Sequence, residues 1–253
     1  MKISIVTPSL NQGQFIERTI LSVLGQKGDF ELDYIIVDGG SEDDSLSIIK
    51  KYEDRLRWIS EKDQGQSDAI NKGFEIAYGE ILAWLNSDDT YEADALSQIA
   101  EQYRMDSFNW CFGNCKNIDE DDSEIRKAIT RYKLFESRRY SYERLLSKDF
   151  ISQPAVFFTR NVYQEMGPLD LNCHYSMDYD YWLRLGKKCS PVYINKFLAN
   201  FRWQSGSKNS GNFKKAAFET YLTAKRHATS TDGYPLFRHY LHYVILTLSY
   251  KFL

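Results

Sequence analysis

Two adjacent carboxylates, Asp88 and Asp89, end the run Ile81-Leu82-Ala83-Trp84-Leu85-Asn86-Ser87-Asp88-Asp89, with no basic residue close by in the chain. Neighbouring aspartates repel one another unless a cation lies between them, and hard oxygen ligands select Mg²⁺ or Mn²⁺ over softer-site metals. The run therefore reads as a buried strand that delivers acids to a metal and phosphate site. The same residues also suit a plainer task, capping the helix expected from about Ala93.

Further elements must place these acids. Short β-rich runs at Ile3–Thr7, Tyr34–Val37, Leu56–Ile59 and Ile81–Leu85 alternate with helical spacing over Phe15–Gly25, Asp44–Tyr52 and Ser67–Tyr78. This is a βαβ series, whose parallel strands bind ligands at their carboxyl ends. Three strands end in Thr7-Pro8-Ser9-Leu10-Asn11, Asp38-Gly39-Gly40-Ser41-Glu42-Asp43 and Asn86-Ser87-Asp88-Asp89, so all three segments are expected along one rim. Gly39-Gly40 permits close approach to a flat ligand while Asp38 accepts hydrogen bonds from a base or ribose, although a tight turn fits equally well. Asp63 to Gly73 opens a helix whose apolar face is Ile70, Phe74 and Ala77. Its N-terminus suits an anion, with Ser67 or Asp68 as a simple cap being the alternative. Neither GxGxxG nor GxxxxGK[ST] occurs, which disfavours a dinucleotide or P-loop enzyme.

These segments, together with Met177-Asp178-Tyr179-Asp180-Tyr181-Trp182-Leu183-Arg184, resemble in order the motifs of family 2 glycosyltransferases, over roughly Lys2 to Lys208. The resemblance implies a GT-A fold: an α/β, Rossmann-like mixed and mostly parallel sheet flanked by helices. It also implies an inverting transfer of a sugar from an NDP-sugar, UDP first among the nucleotides, to a saccharide or lipid-linked saccharide acceptor, with Mn²⁺ or Mg²⁺. Residues 1–210 form the transferase domain in this reading, about 1–115 binding the nucleotide-sugar and about 116–210 the acceptor, followed by a helical tail over 211–253. Thr7, Pro8 and Ser9 match part of the nucleoside wall and Asp38 the base contact; Gln66, Ser67, Asp68, Asn86 and Ser87 lie near the donor. Asp88 matches the metal-binding acid of the DXD-type motif, with Asp89 as a second candidate. Many relatives carry Asp where Asn86 stands, and an amide is a weaker cation ligand. Relatives often read Arg-x-His where this chain has Arg202-Trp203-Gln204, followed by the matching Ser207-Lys208; where that histidine binds the cation, Gln204 puts a third protein ligand in doubt. Trp203 suits either a sugar platform or the core.

Asp178 matches the catalytic carboxylate of the family's ED-type motif, with Met177 replacing the preceding Glu, and is the candidate general base. An N-cap is its plainer role. Asp180 precedes Arg184 by four residues, the spacing of a structural ion pair. Downstream of the metal strand, Trp110–Ile118 and Glu124–Arg131 read as a hairpin around a solvated turn, Asp119-Glu120-Asp121-Asp122, and Ser152 to Phe158 as another strand.

The chain has 253 residues, 43% of them hydrophobic, enough for one large core, and a net charge of −3, which implies no nucleic-acid partner. Residues 206–253 carry seven Lys/Arg against two acids, leaving −8 on the rest. Four cysteines without CxxC spacing disfavour zinc. The opening Lys2-Ile3-Ser4-Ile5-Val6 lacks a signal-peptide pattern, and no apolar run approaches about 18 residues, so a cytoplasmic protein without a membrane span is expected. Helices over about Phe213–His227 and Leu236–Phe252 give the basic tail three uses: resting at the inner face of the plasma membrane, packing on the body, or pairing in a homodimer. From the family comes a setting in bacterial cell-surface polysaccharide or lipopolysaccharide biosynthesis. A sugar nucleotidyltransferase would need a basic residue in the loop after the first strand, and Leu10-Asn11-Gln12-Gly13-Gln14 has none; a noncatalytic sugar-nucleotide-binding protein is the third alternative.

Overall fold

The computed structural model describes residues 1–204 and 212–249; Ser207-Lys208 and the last turn expected of the tail, toward Phe252, lie outside them. The first half follows the expected alternation: β1 (Lys2–Ser9), α1 (Ile16–Leu24), β2 (Glu31–Asp38), α2 (Ser45–Lys50), β3 (Arg57–Ser60), α3 (Gln66–Ile76) and β4 (Ile81–Trp84). Then come β5 (Thr90–Tyr91), α4 (Ala95–Asp106), β6 (Trp110–Ile118), β7 (Glu124–Ile125), α5 (Lys127–Ser137), α6 (Tyr142–Ser147), β8 (Val156–Thr159) and α7 (Arg160–Met166). The chain continues through α8 (Met177–Lys188), β9 (Val192–Arg202), α9 (Phe213–His227) and α10 (Gly233–Ser249).

One sheet runs β3-β2-β1-β4-β8-β6-β9-β5, with β7 paired to β6. Strands β3, β2, β1 and β4 are mutually parallel, whereas β8 pairs antiparallel to both β4 and β6. Chain order reverses beside β1, since β2 lies on one side and β4 on the other. Such a reversal opens a crevice beyond the strand ends. The register aligns Ser9 with Asp38, Asp38 with Ser60, and Val6 with Trp84, so the three expected segments do share one rim.

Period-two alternation divides the strand side chains between two faces. Val6, Ile35, Val37 and Trp84 enter one core, while Ile3, Ile5, Ile36 and Ala83 enter the other. In the first core α3 lies so close to β1 that a Cβ on Gly73 would meet the Val6 side chain at 2.3 Å. The same core holds a stack of three tryptophans. The Trp182 ring of α8 lies 5.3 Å from that of Trp84 and 6.2 Å from that of Trp110, nearly parallel to both. Because Trp84 ends β4 and Asp178 lies in the first turn of α8, the stack fixes the helix of the candidate base against the strand of the candidate metal acid.

Three expectations need correction. The strand expected from Ser152 begins only at Val156, because Gln153–Ala155 form a 3-10 turn. Of the expected strand Glu124–Arg131 only Glu124 and Ile125 pair with β6, and from Lys127 the chain is helical. Thr130 and Ser137 face inward at helical spacing, and this outweighs the short β-like run. The turn from Asp119 to Asp122 is not merely solvated. Asp122 bonds Arg202 at 2.5 Å and Arg18 at 3.2 Å, and the Asp119 carbonyl accepts from Arg202 at 2.6 Å.

The described tail packs on the body. Glu219 of α9 accepts hydrogen bonds from the Tyr175 and Ser176 N–H groups and the Ser176 hydroxyl, at 2.7, 3.0 and 3.0 Å, just before α8. His227 lies 2.8 Å from Asp180, and His239 of α10 lies 2.9 Å from the Leu146 carbonyl. Helix α10 starts three residues earlier than expected, with Pro235 in its first turn, where the missing N–H costs nothing. None of the described helices is long and apolar enough to cross a membrane.

Candidate active site

The two adjacent acids have different environments. Asp89 is fully buried. Its carboxylate accepts from the Arg202 backbone N–H at 2.9 Å and from Asn86 Nδ2 at 3.1 Å. Asp88 is half-buried and accepts from Gln204 Nε2 at 2.7 Å. Burial raises the pKa of Asp88, against the Gln204 hydrogen bond; burial, then the Asp88 charge, raises that of Asp89 well above the ordinary value. The compensating cation is Arg202, 113 residues from Asp89. Its buried guanidinium bonds the Asp88 carbonyl at 2.8 Å and Asp122.

Asn86 organises the floor of the crevice. Its side-chain oxygen accepts from Gln66 Nε2 at 2.7 Å, and its amide donates to Asp89 and to Gln153 Oε1 at 3.1 Å. Gln153 in turn donates to the Trp84 carbonyl at 2.7 Å. Beside Gln66, the Ser67 hydroxyl reaches Met177 Sδ at 3.0 Å. The first turn of α3 thus touches both the loop of Asp88 and the residue before Asp178. Ser87 is buried, and its carbonyl accepts from the Thr19 hydroxyl.

The remaining expected residues turn inward. The Asp38 carboxylate is buried and accepts from the N–H groups of Gly40 and Ser41 and the hydroxyls of Ser41 and Ser60, which locks the turn in which Gly40 has φ +89°. Thr7 is buried with its hydroxyl 3.1 Å from that of Tyr34. Pro8 is buried beside it, and the buried Ser9 hydroxyl has no hydrogen-bond partner among the described residues. Asp68 accepts from the Gln64 N–H and pairs with Lys72 at 3.3 Å. It thus ties the first turn of α3 to the loop before it.

Asp178 is half-buried in the first turn of α8, with one oxygen accepting from the Tyr179 N–H at 2.8 Å. Asp180 is buried and bonds Arg184 at 3.1 Å, the structural pair its spacing suggested. Asp178 faces a cavity of about 290 Å³ whose lining also includes Asp149, Gln153 and Trp203. Burial first, and the Asp178 charge second, push the Asp149 carboxyl up to about 7. Its Oδ1 is buried without a hydrogen-bond partner among the described residues. One face of Trp203 is covered by the Arg126 guanidinium at 3.4 Å, and its indole N–H bonds Asn117. Asp149, Arg202, Asp122 and Glu219 were given no role by sequence reasoning. For Arg202 the place in the Arg-x-His resemblance was the one available signal; Asp149 and Glu219 carry none.

Among the described residues no three His, Cys, Asp or Glu side chains form a complete metal cage. The donor set nonetheless fits a hard cation of the Mg²⁺ type, which commonly takes one or two carboxylates, several waters and substrate phosphates. Asp88 is the carboxylate that remains accessible; the oxygens of Asp89 are engaged with protein donors.

Comparison with known proteins identifies the family and the fold. Residues 4–167 match the model of glycosyl transferase family 2. An uncharacterized glycosyltransferase of Mycobacterium tuberculosis is 30% identical over 204 residues, covering 79% of this chain and 74% of its own. A PGL/p-HBAD biosynthesis glycosyltransferase of Mycobacterium bovis is 29% identical over 215 residues, covering 82% and 79%. Among solved structures, a mannosyltransferase from Pyrobaculum calidifontis in complex with GDP-Man and Mn²⁺ superposes with a TM-score of 0.68 at 15% identity, covering 95% of this chain and 68% of that one. TarS from S. aureus superposes with a TM-score of 0.67 at 14% identity over 88% of this chain, which spans only 39% of TarS. The superpositions establish the GT-A architecture, and by the family match the chain belongs to glycosyl transferase family 2 and is a glycosyltransferase.

Proposed function

We propose that this glycosyltransferase moves a sugar from a nucleoside diphosphate-sugar to an acceptor hydroxyl in a single inverting displacement. Asp178 accepts the acceptor proton as that oxygen bonds the anomeric carbon. The bond from that carbon to the diphosphate breaks, and its electron pair leaves with the nucleoside diphosphate. Asp88 would hold a Mn²⁺ or Mg²⁺ ion, whose charge would stabilise the departing diphosphate. Gln204 orients the Asp88 carboxylate, and Arg202 keeps the neighbouring Asp89 buried and paired. The unpartnered Ser9 hydroxyl fits a nucleoside wall. Because Asp38 spends its carboxylate on the Gly39-Gly40 turn, its part in base binding is to shape that turn.

The observation that carries this reading is the pair of bonds from adjacent residues of α3, Gln66 to Asn86 and Ser67 to Met177. They join the donor rim to the helix of Asp178. In this reading residues 1–115 serve the donor, 116–210 the acceptor, and α9 of the tail over 211–253 secures α8. The relative named for PGL/p-HBAD biosynthesis supports assembly of a glycoconjugate as the setting. Exposed Phe237, Leu241, Ile245 and Leu248 on one side of α10 suit an anionic bilayer bearing a lipid-linked acceptor. Sedimentation with anionic liposomes checks that part: Leu241→Glu/Ile245→Glu should abolish co-sedimentation, and unchanged binding rejects it.

Calorimetric titration with UDP, GDP and dTDP, each with and without Mn²⁺, tests the donor site. Cation-dependent binding of one nucleotide is expected, UDP being the first choice; no binding to any of them rejects the reading.

A further inference from the structure

The cavity beside Asp178 has two kinds of wall. Asp149, Asp178 and Gln153 are polar members of its lining, as are Thr220, His239 and His242 of the tail helices, whereas Phe213 and Ala217 of α9 and Leu246 of α10 present apolar surface. A purely carbohydrate acceptor would leave hydroxyl groups against that surface, without the water they bonded outside. At about 290 Å³ the space is roughly twice an apolar cavity of about 150 Å³ known to hold benzene. It accommodates a ring-sized apolar group together with the atoms that carry the reacting hydroxyl. The half-buried Trp203 in the same lining has one face occupied by Arg126, so it contributes to the wall more than it offers an open sugar platform.

We infer that the cavity closed by α9 and α10 binds an apolar, ring-containing aglycone of the acceptor and presents the acceptor hydroxyl to Asp178. This deepens the proposed transferase reading and rests on it for the role of Asp178. The tail helices are then part of the acceptor site as well as the support of α8, and acceptor choice follows the side chains of α9 and α10. The donor rim takes no part in this selection.

The probe is 2-naphthol, titrated into the full chain and followed by its own fluorescence, with glucose as the polar control. Saturable binding of one 2-naphthol and none of glucose is expected. Ala217→Trp, which fills the cavity from α9, and Leu246→Asp, which makes the α10 wall polar, should each weaken 2-naphthol at least tenfold. Thermal melting identifies a variant that fails to fold, and the other variant then decides. The same samples are titrated with nucleoside diphosphate and Mn²⁺, whose binding should not change. Absence of saturable 2-naphthol binding, or unaltered affinity in a folded variant, overturns the inference even if nucleotide binds. Loss of nucleotide binding by the wild-type chain rejects the donor reading instead.

Discussion

Replacing Asp149 by Asn tests whether two carboxylates are crowded into one wall of the cleft. The Asp149 carboxyl titrates near 7 instead of 3.8, first because burial penalises its charge and second because Asp178 repels it; Lys133 and the Ile151 N–H pull the other way. At about 1.4 kcal/mol per pH unit, carrying that charge costs the folded chain about 4 kcal/mol. The folded-state value lies above the unfolded one, so between about pH 4 and pH 7 the folded protein keeps a proton that the unfolded chain has released. Stability from this group is therefore full below about pH 4, falls as pH rises through the window, and is flat above it. Asn is isosteric and neutral, and its amide can donate where the carboxylate only accepts. Asp149→Asn should match the wild type near pH 4 and exceed it by up to about 4 kcal/mol at pH 8. Urea unfolding followed by tryptophan fluorescence across this range measures the difference. Parallel stability curves for the two proteins would refute the reasoning.

Three further outcomes follow from the site. Asp88→Asn should abolish the Mn²⁺ dependence of nucleotide binding and leave cation-free binding unchanged; calorimetry that still shows a Mn²⁺ effect would remove Asp88 from the metal site. Gln204→His should raise Mn²⁺ affinity about tenfold at pH 8, with the gain lost below about pH 6.5 as the imidazole protonates; electron paramagnetic resonance of free Mn²⁺ reads this, and no gain at pH 8 counts against a cation beside Gln204. Glu219→Ala removes the acceptor for three donors ahead of α8 and should cost about 3 kcal/mol in urea unfolding. A loss under about 0.5 kcal/mol would mean that water replaces those bonds.

The donor half was legible because its information is local. Apolar strand runs ending in Gly, Asn or Asp announce both the strand and the rim, and their order announces the family. What escaped depends on contacts distant in sequence. Asp89 reads in the sequence as a second candidate for the metal, and its bond from the Arg202 N–H, 113 residues away, could not be read there. The acidic turn looked solvated because neither Arg18 nor Arg202 is near it in the chain. Lys127–Arg131 was misassigned to a strand because a short run of mixed residues carries little period, and the helical face of α5 becomes evident only where Thr130 and Ser137 meet the core. The tail's helices were readable from their spacing. Their role in holding α8 was not, since Glu219 lies 43 and 44 residues from the groups it caps.

The central claim is that Asp178 takes the proton while the donor binds elsewhere, and Asp178→Asn measured two ways tests it most directly. Nucleotide affinity with Mn²⁺ should equal that of the wild type, because Asp178 lies on α8 and not on the donor rim. Sugar transfer, or slow donor turnover to water, should fall by about 10² to 10⁴, the range expected for loss of a general base. Unchanged turnover with intact nucleotide binding would contradict the account, as would loss of nucleotide binding itself.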